Sequence, residues 1–207
     1  MESSASDIPR RLPRGTHGLD RDVVEASQRT RLLEAVGRAV AERGYAGATI
    51  DDVVRRAGVS KATFYEHFAD KEDCFLAAYE AASEELLLRV EEAQASEDDW
   101  LERTRAGIRA YLRWLAGDPA LARVFLIEVA AAGPAALERR ERLRDRYAEL
   151  MHARGAPREL PPEIRHAVVA AVDDVVVRHI RAQGAERLPA LEPVLLHLQR
   201  ALLATPS

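Results

Sequence analysis

One short stretch of the chain places four side chains that can donate hydrogen bonds to a phosphate or to the edge of a base: Lys61, Thr63, Tyr65 and His67. Ser60 precedes them as a helix N-cap, and Phe64 and Phe68, four apart, give the helix that follows a buried face. That leaves Lys61, Ala62, Thr63, Tyr65, Glu66 and His67 on its outer side, and a short helix crossing another at its N-terminus can enter a major groove. The helix it crosses is the preceding one. Thr49 caps that helix, Asp51 and Asp52 occupy its first turn where carboxylates favour the positive end of the macrodipole, and Ile50, Val53, Val54 and Ala57 form its apolar face. Gly58 ends it by supplying the positive φ of a tight turn, and Val59 fills the inside of the corner. On these residues alone the segment is either a groove-reading element or a generic helical corner with a solvated face.

The flanks decide between the two. The run from Arg31 to Tyr79, with Gly44-Tyr45, Thr49-Ile50, Ala57-Gly58-Val59-Ser60, Thr63-Phe64-Tyr65, His67-Phe68 and Lys71-Glu72, closely resembles the DNA-binding domain of the tetracycline-repressor (TetR) family. Downstream the resemblance is looser. It implies an all-α fold, with an N-terminal three-helix helix-turn-helix domain followed by a helical bundle for ligand binding and dimerisation. By this resemblance Lys61 and Thr63 lie where such proteins contact DNA, Tyr65 and His67 where they grip phosphates, and Lys71 where the helix leading to the regulatory domain opens. Thr49, Ser60, Ala62 and Glu66 complete the candidate DNA-binding set. Two positions depart from the family pattern. Val54 stands at the helix crossing where alanine is usual, implying wider helix spacing, and Glu66 adds a negative charge to the groove-facing side, although a carboxylate can accept from cytosine N4.

Composition points to helix throughout: alanine, leucine, glutamate and arginine abound, and period-2 runs of β-branched residues are absent. With 207 residues, 47% of them hydrophobic, the chain can bury a sizeable core. Its net charge of -4 gives no general attraction for nucleic acid, so DNA binding must come from a local face. Lysine occurs only as Lys61 and Lys71, both inside the motif. Cys74 is the sole cysteine, which excludes an intrachain disulfide or a multi-cysteine metal site and leaves a structural thiol as the expectation. No cofactor is indicated. No apolar run reaches membrane-spanning length and the N-terminus lacks a signal peptide's apolar core, so a cytoplasmic location is expected.

Three segments follow. Residues 1–19 are polar and expected to be disordered, with Arg10, Arg11 and Arg14 either reaching a minor groove or simply solvated. Residues 20–70 form the helix-turn-helix domain, beginning with a helix capped by Asp20 that presents Val24, Leu32, Val36 and Val40 and stops at Gly44. Residues 71–207 form the ligand-binding and dimerisation domain. Asp70 caps a rod to about Ala95 with the stripe Phe75, Tyr79, Ala82, Leu86, Val90 and Ala93, and a further helix runs from about 99 to 116. Pro119 to Ala132, apolar nearly all round, reads as one buried helix with Glu128 in its stripe. The next, to about Arg154, carries Ala136, Arg140, Leu143, Tyr147, Leu150 and Met151 on one stripe. Pro161-Pro162 begins a further helix to about Gln183, whose apolar arc is too wide for one core. So is that of Pro189 to Leu203, with Leu191, Leu195, Leu198 and Leu202 on one face and Leu196 and Leu203 on another. Two such faces on consecutive helices suggest a symmetric four-helix dimer seam.

Candidate ligand-binding residues are Trp100, Tyr111, Trp114, Phe125, Glu128, Arg140 and Asp173. Glu128 and Arg140 are either a structural ion pair or anchors for a polar ligand group. Asp173 is either hydrogen-bonded at the seam or open to a pocket, and His179 is expected in a core. The function the resemblance implies is a ligand-responsive transcriptional regulator, a repressor that binds a palindromic operator as a homodimer and is released by a small molecule, which the apolar candidates make largely hydrophobic. One alternative is a constitutive, architectural DNA binder without an effector. The other, a helical-bundle enzyme, lacks inward Glu-x-x-His pairs, a phosphate-cradling loop and any Ser/His/Asp or Cys/His grouping. A cavity lined by apolar residues and one or two polar anchors separates ligand control from the architectural reading.

Overall fold

The structure, a computed structural model, describes residues 21–152 and 160–203, and among them every regular element is helical. The arm 1–19, the Asp20 cap, Arg154 and the side chains of Met151, Leu202 and Leu203 lie outside the described residues. Two compact units divide the chain, Met1–Ala78 and Tyr79–Ser207. The first holds α1 (Arg21–Gly47), α2 (Ile50–Ala57), α3 (Lys61–His67) and the start of α4 (Lys71–Ala95). The second holds the rest of α4, α5 (Trp100–Gly117), α6 (Pro119–Leu126), a 3-10 helix η1 (Glu128–Ala132), α7 (Pro134–His152), α8 (Pro162–Gln183), a 3-10 helix η2 (Ala185–Leu191) and α9 (Glu192–Leu203).

Local chemistry sets the helix ends. Asp99 accepts from the Leu101 and Glu102 N–H groups at 2.8 and 3.1 Å to start α5, and Asp118 accepts from the Leu121 N–H at 3.1 Å to start α6, whose first residue is Pro119. Gly58 ends α2 at φ 65°, and Arg31 steadies that end by donating to the Ala57 carbonyl at 2.7 Å. Alanine at this position would be held in the left-handed region, so Gly58→Ala is expected to destabilise the first unit by about 1 to 2 kcal/mol in urea unfolding. An unchanged midpoint would show that the turn relaxes to another conformation.

In the first unit Leu32, Val36 and Val40 of α1, Val53 of α2 and Phe64 of α3 are fully buried. The expected boundary at residue 70 marks the start of α4, whereas the first unit also takes that helix's opening turns, where Cys74, Phe75 and Leu76 are buried. Burial pushes the Cys74 thiol up to about 12, so it stays protonated and inert.

Three expected helices change form. At Gly44, φ 70°, α1 is interrupted but resumes for a last turn to Gly47. That turn persists because Lys71 Nζ donates to the Tyr45 and Ala48 carbonyls at 2.7 and 3.0 Å and sits 4.3 Å above the Tyr45 ring, satisfying acceptors a helix end leaves orphaned. The helix expected from Pro119 to Ala132 breaks at Ile127 (φ -113°, ψ -56°) and continues as η1. The α-helix expected from Pro189 begins only at Glu192, after η2. In both segments buried residues recur at intervals of three, Leu126, Val129 and Ala132 in one and Ala185 and Leu188 in the other, which three residues per turn keep in line.

Candidate functional site

The corner of the first unit is built by reciprocal capping. Thr49 Oγ1 accepts from the Asp52 N–H at 3.2 Å, while the Asp52 carboxylate accepts from the Thr49 N–H at 3.2 Å and from its hydroxyl at 2.7 Å. The Thr49 hydroxyl, with Arg43 and Arg55 nearby, holds the Asp52 carboxyl below its ordinary value. Ser60 Oγ accepts from the Thr63 N–H at 3.0 Å and starts α3. Thr49 and Ser60 thus set the angle and start of the helices, and Lys71 is engaged with internal carbonyls.

What remains outside is the far face of α3. Tyr65 is 57% exposed although its neighbour Phe64 is fully buried, and Ala62 and Glu66 are exposed beside it. Lys61 is exposed and lies 2.8 Å from Asp51, a hydrogen bond that raises its pKa and that solvent weakens. His67 Nε2 is 3.2 Å from Gln28 Oε1, tying the end of α3 to α1. Arg29, absent from the sequence-based set, rests 4.8 Å above the Phe68 ring and is exposed. Nothing in its spacing marks it, because its partner ring lies across the fold.

The second unit contains a cavity of about 550 Å³, counting the space at its mouth. Val90 and Gln94 of α4, Thr104, Gly107, Ile108 and Tyr111 of α5, and Tyr147 of α7 line it. Val169, Val172 and Asp173 of α8 and Leu195 and Gln199 of α9 complete it. Gly107 permits a close approach: a Cβ there would stand 2.7 Å from Gln94 Nε2. Of the sequence candidates, Tyr111 and Asp173 are in the lining. Both alternatives for Asp173 meet here, since it faces the cavity and is hydrogen-bonded, but within the unit. Its carboxylate accepts from the Tyr111 hydroxyl at 3.1 Å and from Arg144 Nε at 2.9 Å, and Arg140 Nη2 lies 3.6 Å away. The carboxylate beside Arg140 is therefore that of Asp173.

Other candidates sit elsewhere. Phe125 stacks on Tyr79 with centroids 4.7 Å apart and meets Trp114 edge-on at 5.3 Å, an aromatic core cluster. Trp100 opens α5, half-buried, and Glu128 lies half-buried in η1. Leu195, on the first of the two leucine faces of the last helix, is fully buried against the cavity. Missed as lining were Gln94, Thr104, Tyr147 and Gln199. Thr104 and Gln199 carry a readable signal, since each is a polar residue four from a buried apolar one, Ile108 and Leu195. Among the described residues no group of three or more His, Cys, Asp or Glu side chains could hold a metal ion, and no helix is long and apolar enough to cross a membrane.

Residues 32–78 match the family model for bacterial regulatory proteins of the tetR family. The transcriptional activator FasR of Mycolicibacterium smegmatis is 33% identical over 91 residues, covering 44% of this chain and 42% of that protein, so the match spans less than half of FasR. The transcriptional repressor AcnR of Corynebacterium diphtheriae is 29% identical over 168 residues, 76% of this chain and 83% of that protein. Among solved structures, FadR from Bacillus subtilis in complex with stearoyl-CoA superposes with a TM-score of 0.70 at 19% identity, covering 86% of this chain and 99% of that one. That likeness establishes the fold.

Proposed function

Because the chain belongs to the tetR family of bacterial regulatory proteins, we propose that it is a ligand-responsive transcriptional repressor that binds a palindromic operator as a homodimer and is released by a small, largely apolar molecule. Residues 20–70 are the reading domain and residues 71–207 the ligand-binding and dimerisation domain. The protein is a regulator rather than an enzyme, and it works in the cytoplasm, where the DNA is.

The observation that carries the reading is the exposed face of α3, where Tyr65 projects from a helix whose neighbouring phenylalanine is fully buried. The Tyr65 ring meets Phe64 edge-on with centroids 5.5 Å apart, which leaves its hydroxyl held outward next to Lys61, where it can meet a phosphate. Thr63 and His67 extend the set, Glu66 biases base preference, and Lys71, Thr49 and Ser60 act by fixing the frame. Ligand control over an architectural role is favoured by the cavity, which has an apolar wall with a few placed polar groups. FadR, of the same fold, holds a small molecule. Repression is favoured by AcnR, a repressor that the chain matches over most of its length.

Operators selected from a random duplex pool with the purified protein test this directly. Tyr65→Ala should weaken binding to every sequence alike, by roughly tenfold, as expected for loss of a hydrogen bond to a charged oxygen. Lys61→Ala should lower the salt slope by about one. A double variant that binds its operator as the parent does would sink the assignment.

A further inference from the structure

We propose that the cavity takes an uncharged molecule, with an apolar body and one acceptor oxygen, a ketone, ester or ether, that receives the hydroxyl of Tyr147. This rests on the reading of the cavity as the effector site and narrows its chemistry. The Tyr147 hydroxyl is buried, lines the cavity, and has no hydrogen-bond partner. A buried donor without an acceptor is costly, and a ligand that supplies one removes the cost. Burial, with the negative charge of Asp173 close by, holds the Tyr147 phenol far above its ordinary pKa, so the group keeps its proton and can donate. The neighbouring phenol of Tyr111, whose ring centroid is 6.0 Å away, already donates to Asp173.

The rest of the lining excludes charge. Among the described residues that form the wall, Asp173 is the one charged group. Asp173 is already paired with Arg144 and approached by Arg140, and neither guanidinium belongs to the wall, so a ligand carboxylate placed against Tyr147 would be buried with no cation there to receive it. An ammonium would compete for a carboxylate that already holds Arg144 at 2.9 Å, with Arg140 at 3.6 Å. Gln94, Thr104 and Gln199 are polar but neutral, and Val90, Ile108, Val169, Val172 and Leu195 supply the apolar surface.

Three probes of equal chain length separate the possibilities: 2-octanone, octanoate and octylammonium, titrated calorimetrically into the full chain and into Tyr147→Phe. The ketone is expected to bind at least tenfold more tightly than either ion. Tyr147→Phe should weaken it roughly three- to tenfold, the worth of one neutral hydrogen bond. The ligand-free variant should keep or raise its Tm, because it sheds an unsatisfied group, and a merely structural hydroxyl would not give that combination. Tighter binding of octanoate or octylammonium would overturn the neutral class and leave the effector site standing. Equal ketone affinity in the two proteins would overturn the role of Tyr147. Failure of all three probes to bind would overturn both this proposal and the effector-site reading.

Discussion

Replacing Asp173 with alanine is expected to cost the second unit about 3 to 5 kcal/mol, the usual effect of removing one partner from a buried ion pair. The side chains of Asp173, Arg140 and Arg144 are 13%, 16% and 17% exposed, so solvent cannot stand in for a lost counter-charge. Arg144 would keep Glu141 at 2.7 Å, but Arg140, whose Nε is already buried without a partner, would lose its carboxylate, and the Tyr111 hydroxyl would lose its acceptor. Asp173→Asn should fall between the parent and the alanine variant, because an amide oxygen can still accept from Tyr111 while the charge is gone. Both tryptophans, Trp100 and Trp114, lie in the second unit. Their fluorescence during urea unfolding therefore reports that unit without mixing in the first. Since whole domains are stable by only about 5 to 15 kcal/mol, the loss should be plain as a shifted midpoint. A shift worth less than about 1 kcal/mol would show that the two guanidinium groups are solvated or paired elsewhere.

The ion cluster also marks where sequence and structure part. Caps and turns are local, so Thr49, Gly58 and Ser60 can be assigned from a few neighbours each, and the structure places all three at helix ends. The partner of Arg140 is not local. A carboxylate in the adjoining helix, Glu128, is the nearest candidate along the chain, but packing of α7 on α8 brings Asp173 to it instead. The two 3-10 segments were hidden for another reason: over one or two turns an apolar interval of three fits an α-helix nearly as well as a tighter one. The cavity was half legible. Asp173 stood out as a charge set among valines and Tyr111 as one of the large aromatic side chains, whereas Trp114 and Phe125, chosen on that same ground, lie in an aromatic core cluster. In the first unit the outward side of α3 follows from Phe64 and Phe68 alone, yet the engagement of Lys71 with the end of α1 depends on a contact across 26 positions.

Charging the outer faces of α8 and α9 is expected to yield monomers and to cost about a hundred- to ten-thousand-fold in operator affinity, the advantage of two linked half-site contacts over one. Leucine spacing alone would aim such an experiment at Leu195 and Leu198, but Leu195 is fully buried and glutamate there would put a charge into the cavity wall. Among the described residues, the large apolar side chains that these two helices leave exposed are Ile164 of α8, 43% exposed, and Val194 of α9, 54% exposed. Along α8 the exposed positions Ala167 and Ala171 are small, which lets a second helix approach closely. A second copy of the chain offers the same surface, as a two-fold seam requires. Ile164→Glu with Val194→Glu replaces groups already at the surface, so each protomer should keep its fold, and circular dichroism unchanged from the parent would establish that. On the proposed function a dimer is needed on the DNA, because paired recognition helices must stand about 34 to 36 Å apart to meet successive major grooves and one protomer would reach only one half-site. Sedimentation and operator titration at one fixed salt concentration measure the two effects together. A double variant that stays dimeric would move the seam off these faces, and a monomer with undiminished operator affinity would remove the need for a homodimer altogether.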